Sequence, residues 1–208
     1  MSKRGLLIVI SGPSGSGKGT VCRELRRLNP QYKVSVSVTT REQRDGEKEG
    51  VEYFFRTQEQ FEHLINEGEL LEYAQIYGGC YYGTPKKFVR ETLNAGNDII
   101  LEIDIQGALQ VKERFDEGIF IFLVPPSMQE LYRRLVDRGR ENAEMILERF
   151  RAAYQELNFI NRYNYVVVND EVDAAVKKIE AIITAEKCHV KRNEELEKQL
   201  LEGGNFYG

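Results

Sequence analysis

A doubly wound α/β fold built on a parallel sheet of about five strands is predicted by three observations. Short apolar runs recur along the 208 residues, segments of helical periodicity separate most of them, and a glycine-rich turn joins the first run to the first helix. The runs are Leu6–Ile10, Val34–Val38, Ile99–Ile103, Ile119–Val124 and Tyr165–Val168. They are rich in β-branched residues and short, as parallel strands covered on both faces are. In such a sheet ligands gather at the carboxyl ends of the strands. The length suits one large domain with insertions better than two independent ones.

The elements between the runs carry their own signals. After the glycine-rich turn, Val21, Leu25 and Leu28 recur at helical spacing, so a helix is expected to begin near Lys18. Thr57 to Gln60 and Ser127 to Glu130 have the pattern of capping boxes, and Thr84-Pro85 reads as a cap followed by a first-turn proline. Gly68 and Gly96 read as helix stops. Between residues 39 and 84 the alternation breaks into polar turns and short strand-like runs such as Tyr53-Phe54-Phe55, which marks an inserted, substrate-holding subdomain. A charged, glycine-containing break at 137–142 divides two helices and reads as part of a helical lid over 137–158. The remaining segments, 1–38, 85–136 and 159–208, form the core of a single domain.

Bulk properties narrow the function. Hydrophobic content of 41% and charged content of 30% are ordinary for a globular protein, and the net charge of −4 points away from nucleic acid as a main partner while leaving small anions open. Cys22, Cys80 and Cys188 form no Cys-x-x-Cys pair, and His63 and His189 are the only histidines, so neither a zinc site nor a disulfide framework is expected. The first apolar run is too short for a signal peptide and no segment approaches a membrane span. A cytoplasmic protein with reduced thiols is the expectation.

The most informative motif is Gly12, Pro13, Ser14, Gly15, Ser16, Gly17, Lys18, Gly19 and Thr20, directly after the first strand. This spacing folds into a concave loop whose N–H groups converge on phosphate oxygens, with a helix dipole behind it and the Lys18 ammonium as a mobile charge. The usual hydroxyl residue after the lysine is replaced by Gly19, with Thr20 following. Arg41 and Arg44, three apart in a polar turn, present guanidinium forks suited to a dianionic phosphate, and Tyr53 and Tyr82 offer phenolic donors. Read alone, that turn is equally a solvated surface. Glu102 and Asp104 lie two apart at the end of an apolar strand, so in an extended chain both point to one face. A helix cap at Asp104 and a surface Glu102 are the plainer reading of the pair.

Several motifs in order carry a resemblance: Ser37-Val38-Thr39-Thr40-Arg41, Arg44-Asp45-Gly46-Glu47, Tyr81-Tyr82-Gly83-Thr84 and Ile103-Asp104-Ile105-Gln106-Gly107. From the phosphate loop to about Asp170 the chain resembles guanylate kinase, a phosphate-loop nucleoside monophosphate kinase. The resemblance implies transfer of the γ-phosphoryl group of ATP to GMP, giving ADP and GDP, with Mg2+, in purine nucleotide metabolism. It implies that Arg41, Arg44, Tyr53 and Tyr82 hold the GMP phosphate, and that Ser37, Glu72, Thr84 and Asp104 surround the base. Guanine donates from N1 and N2 and accepts at O6, so two ionised carboxylates and two hydroxyls complement it, whereas adenine inverts the pattern.

The resemblance further assigns ATP to residues 12–20 and to Asn169. It makes Arg134, Arg138 and Arg149 lid arginines that assist Lys18 in catalysis, and leaves Thr20 and Glu102 to position magnesium, Glu102 through water where an aspartate is common in the family. The turn Tyr77-Gly78-Gly79-Cys80 is one residue longer than usual, which bears on the pose of Tyr82. Two other classes compete with this reading. One is a non-catalytic module of the same fold that binds acidic or phosphorylated peptides, against which the retained Gly12, Gly17 and Lys18 argue. The other is a kinase for a different phosphate ester, which leaves Glu72 and Asp104 without a purpose.

Overall fold

The computed structural model describes residues 4–75, 79–115, 117–137 and 143–203. From the amino end the chain runs β1 (Leu7–Ser11), α1 (Lys18–Leu28), β2 (Lys33–Val34), β3 (Ser37–Thr39), β4 (Tyr53–Phe55), α2 (Gln58–Asn66), β5 (Leu70–Gln75), β6 (Tyr81–Pro85), α3 (Lys86–Asn94) and β7 (Ile99–Glu102). It continues through α4 (Ile105–Arg114), β8 (Ile119–Val124), α5 (Met128–Asp137), α6 (Ala143–Glu156), a 3₁₀ turn (Leu157–Arg162), β9 (Tyr165–Val168), α7 (Val172–Lys187), a second 3₁₀ turn (Val190–Arg192) and α8 (Glu194–Gly203). Among the described residues no helix is long and apolar enough to cross a membrane.

Five parallel strands form the central sheet in the order β2-β7-β1-β8-β9. Every residue of β1 is buried, because helices cover both of its faces. Ile8 and Ile10 pack with Val21 and Leu25 of α1 and Val176, Ile179 and Ile183 of α7. Leu7 and Val9 point the other way, onto Val89 and Leu93 of α3 and Ala108 and Val111 of α4. Each fully buried aliphatic side chain of this kind contributes about 1.5–3 kcal/mol. The chain steps outward from β1 to β2, returns to β7, and then crosses to β8 on the other side of β1. That reversal opens a crevice at the carboxyl end of β1, where the glycine-rich loop lies.

The expected strand Val34–Val38 is divided. Lys33 and Val34 pair with Ile99 and Ile100 in the central sheet, while Ser37–Thr39 belong to a second sheet of order β4-β3-β6-β5. The cause is the alternation Val34-Ser35-Val36-Ser37-Val38, which has one apolar face only and cannot continue inside a sheet covered on both sides. In the second sheet Val38 faces Phe61 of α2 and Leu70, and the opposite face is left for polar side chains.

Caps explain most helix starts. Thr57 forms the expected reciprocal box: its side chain accepts from Gln60 N–H at 3.3 Å and Gln60 Oε1 accepts from Thr57 N–H at 3.0 Å. Ser127 Oγ accepts from Glu130 N–H at 3.1 Å, but the Glu130 carboxylate turns instead to Arg133 and Arg134, so this box is half formed. Thr84 is no cap at all. It lies within β6, Pro85 occupies the cap position of α3, and the Thr84 hydroxyl is used elsewhere.

Candidate active site

The loop after β1 wraps around the start of α1. Gly17 is the residue before the first helical turn, at φ +91°, and a Cβ there would stand 2.4 Å from Asn169 Nδ2, so both backbone conformation and space call for glycine. Asn169, just after β9 and 3% exposed, donates from Nδ2 to Ser16 O at 2.8 Å. Lys18 Nζ donates to Gly12 O at 2.5 Å and Pro13 O at 3.2 Å. Burial lowers the Lys18 pKa, opposed by the carboxylates of Glu156 and Glu102. The Ser16 hydroxyl is buried within the loop with no hydrogen-bond partner among the described residues.

Two arginines from the following helices reach this loop. Arg134 of α5 donates to Ser16 O at 3.4 Å and Asn169 O at 3.0 Å, while its Nε is held by Glu130 at 2.7 Å. Arg149 of α6 donates to Ser14 Oγ at 2.6 Å from Nη2 and at 3.2 Å from Nε. Arg138 lies outside the described residues.

The polar face of the second sheet supplies a separate cluster. Glu72 pairs in register with Thr84, and by the β3–β6 register Ser37 lies opposite Thr84, so these three side chains occupy one row on one face. Ser37 also pairs with Tyr53, and Tyr82 lies two residues along β6 from Thr84 on the same face. Arg41 Nε donates to the Tyr82 hydroxyl at 3.2 Å, and the Arg41 guanidinium lies over the Tyr53 ring at 5.4 Å. The Tyr53 and Tyr82 rings meet edge to face at 5.7 Å. Glu47 engages Arg41 Nη2 with both oxygens at 2.7 and 2.9 Å and accepts from Arg44 N–H at 2.9 Å, fixing the turn that carries both arginines. The Arg44 residue itself is exposed. Of the longer turn, residues 76–78 lie outside the described residues; its flanks pair Ala74 with Tyr82 and Gln75 with Tyr81.

Three carboxylates lie near these groups. Glu72, only 3% exposed, accepts from the Thr84 hydroxyl at 2.5 Å. Burial, reinforced by the charge of Asp104, pushes its pKa up to about 7. A Cβ at Gly107 would stand 2.3 Å from Glu72 Oε2, so α4 approaches this carboxylate closely only because position 107 carries no side chain. Asp104 does not continue the strand as an extended chain would. It is the cap of α4, accepting from Gly107 N–H at 2.7 Å, and β7 ends at Glu102. The helix cap and the proximity to Glu72 thus coexist in one residue. Burial raises the Asp104 pKa, with the Gly107 N–H and the Lys18 charge pulling it back.

Glu102 keeps an open flank to solvent, yet the surrounding protein desolvates its carboxylate and raises its pKa, with Lys18 opposing. Its Oε1 lies 3.3 Å from where a Gly19 Cβ would stand, so the carboxylate rests against the first turn of α1, beside Thr20. A hydroxyl and a carboxylate together are the hard oxygen donors that magnesium accepts, one or two protein ligands sufficing when phosphates supply the rest. The residues therefore fit that ion. Among the described residues no group of three or more His, Cys, Asp or Glu side chains forms a metal cage. Cys22 is buried, and burial followed by the nearby Glu102 charge pushes its thiol pKa up; no disulfide joins Cys22, Cys80 and Cys188.

The two clusters share one electrostatic neighbourhood. Asp104 feels Lys18 and acts on Glu72, while Tyr53, raised in pKa by burial, is also raised by Tyr82 and by Glu102 beside the loop. Three contributors had no role from sequence. Glu47 is legible in hindsight as an acid six residues after Arg41, Gly107 shows only as a small residue early in a helix, and Glu156, which accepts from Ser14 N–H at 3.3 Å, gives no local signal.

Comparison with known proteins places this chain in a family. A family profile described as guanylate kinase matches residues 4–186. The chain is 56% identical over 202 residues to a guanylate kinase of Caldanaerobacter subterraneus subsp. tengcongensis, covering 97% of this chain and 98% of that one. It is 59% identical over 190 residues to a guanylate kinase of Clostridium tetani, covering 91% and 90%. Among solved structures, guanylate kinase from Anaplasma phagocytophilum superposes with a TM-score of 0.77 at 34% identity, over 91% of this chain and 90% of that chain. With the loop, the carboxylates and the arginine cluster already in place, these matches identify the chain as a member of the guanylate kinase family.

Proposed function

We propose that this protein transfers the γ-phosphoryl group of ATP to GMP, giving ADP and GDP. The observation that carries the reading is the buried Glu72 carboxylate, bonded to Thr84, near Asp104, and on the sheet face where Tyr82 meets Arg41. In this reading residues 39–84 hold GMP. Arg41, Arg44, Tyr53 and Tyr82 take its phosphate, while Glu72 and Asp104 accept from guanine N1 and N2, with Ser37 and Thr84 lining the base. Residues 12–20 hold the donor phosphates and Asn169 borders the adenine. The segment 137–158 is the lid.

Catalysis follows from charge and position. As the phosphoryl group leaves ATP, negative charge spreads over its oxygens, and Lys18, Arg134, Arg149 and Arg138 stabilise that charge without any covalent intermediate. Thr20 and, through water, Glu102 would hold a magnesium ion, which neutralises charge on the phosphates when bound. Closure of the lid excludes water and so suppresses hydrolysis of ATP. A cytoplasmic place in purine nucleotide metabolism is the corresponding setting.

The test is a coupled assay with GMP, AMP, CMP and UMP as acceptors. GMP alone should turn over efficiently, since a site built on buried hydrogen bonds discriminates by factors of about 10⁴. AMP turning over as fast as GMP would refute the base assignment. In the same assay Lys18→Ala should lower kcat by about 10²–10³-fold, the loss typical of removing one electrostatic stabiliser, with GMP binding still measurable by calorimetry.

A further inference from the structure

Glu156, the last residue of α6, has no role in the reading above, yet its carboxylate reaches the phosphate loop itself. Its Oε2 accepts from Ser14 N–H across a sequence separation of 142 residues. Arg149, seven residues earlier and therefore on the same helix face, holds the Ser14 hydroxyl. One face of α6 thus grips a single loop residue through both its backbone and its side chain. Lys18 is the leading charge acting on Glu156, and Glu156 the leading charge acting on Lys18; Asp104 adds a weaker repulsion. A loop N–H and the loop ammonium are the donors that such a loop directs at phosphate oxygens, and a carboxylate oxygen is the nearest chemical likeness to a phosphate oxygen that a side chain provides.

We infer that Glu156 is an internal competitor of the donor nucleotide's polyphosphate, its carboxylate holding the Ser14 N–H and lying in the field of Lys18, both of which an incoming phosphate must take over. The inference rests on the reading of residues 12–20 as the donor site. Two anions cannot share the Ser14 N–H and the Lys18 charge without repulsion, so polyphosphate binding expels the carboxylate. Donor affinity is weakened by the work of doing so.

Calorimetry on the full chain tests this, with ATP, with inorganic tripolyphosphate and with GMP as titrants. Glu156→Gln keeps the shape of the side chain and removes its charge. It should tighten ATP and tripolyphosphate by about tenfold and leave GMP within about twofold. Damage to the loop weakens binding, whereas only the loss of a competitor tightens it. Glu156→Asp, which keeps the charge but is one methylene too short for Ser14 N–H, should tighten both polyphosphates by less, and it carries the same test if the glutamine variant does not fold. Unchanged or weaker ATP and tripolyphosphate binding in these variants overturns the inference alone. A wild-type protein that binds neither ligand ends the donor-site reading and the inference with it.

Discussion

Glu72 shows the conflict between stability and function most plainly. Its carboxyl is buried, its pKa stands near 7 against 4.5 for the unfolded chain, and the folded protein therefore binds more protons than the unfolded one between those values. The sign is that of a raised pKa: stability is full below about pH 4.5 and is lost as pH rises through about 7, to a total of roughly 3 kcal/mol. Glu72→Gln retains an acceptor for the Thr84 hydroxyl and removes that cost. Urea unfolding at pH 8 should find the variant more stable than wild type by roughly 2–3 kcal/mol, with the gap closing by pH 5. Parallel pH profiles would show that Glu72 is not the titrating group. The same substitution should weaken GMP by about a hundredfold, because guanine loses an ionised acceptor. In wild type the KM for GMP should climb as pH falls below about 7, when the carboxyl takes up its proton.

At the scale of elements, the first turn of α4 has two duties. Its N–H groups are capped by Asp104, and its bare Gly107 lets Glu72 approach the helix. Alanine is the better helix former by about 1 kcal/mol, so on propensity alone Gly107→Ala is favourable. Contact decides otherwise, since the new Cβ would lie 2.3 Å from Glu72 Oε2 and the carboxylate must move. We expect Gly107→Ala to raise the KM for GMP at least about tenfold while the KM for ATP stays near wild type, read from initial rates with each substrate varied in turn. Equal effects on both substrates would point to a general disturbance of α4. The sequence offers a helix cap at Asp104 but no sign that the third residue of α4 is constrained by a glutamate 35 positions away.

For the molecule as a whole, the central sheet carries the phosphate loop and the second sheet the Arg41 cluster, and the two anion sites of the proposed function should be separable by linkage. A ligand at a hundred times its Kd stabilises the folded state by about 2.7 kcal/mol, which for a chain of this size raises the melting temperature by about 5–10 °C. Arg41→Ala should abolish the shift caused by GMP and keep that caused by ATP; Lys18→Ala should reduce the ATP shift and keep the GMP shift. Differential scanning fluorimetry distinguishes this from a single merged site, in which either substitution would abolish both.

Local chemistry carried much of this in the sequence. The loop from Gly12 to Thr20, the helix after it, the box at Thr57 and the buried run of β1 are legible because each depends on neighbours within a few residues. The division of Val34–Val38 runs against the expectation of one buried strand: its alternating serines leave one apolar face, and only the fold decides which sheet that face joins. The tertiary structure alone decided that Thr84 bonds Glu72 rather than capping a helix, that the capping Asp104 also lies near both Glu72 and Lys18, and that Glu156 meets Ser14. The physical reason is range: turns, caps and periodicity act over one or two helical turns, whereas burial and charge act through space on groups that only the folded chain brings together.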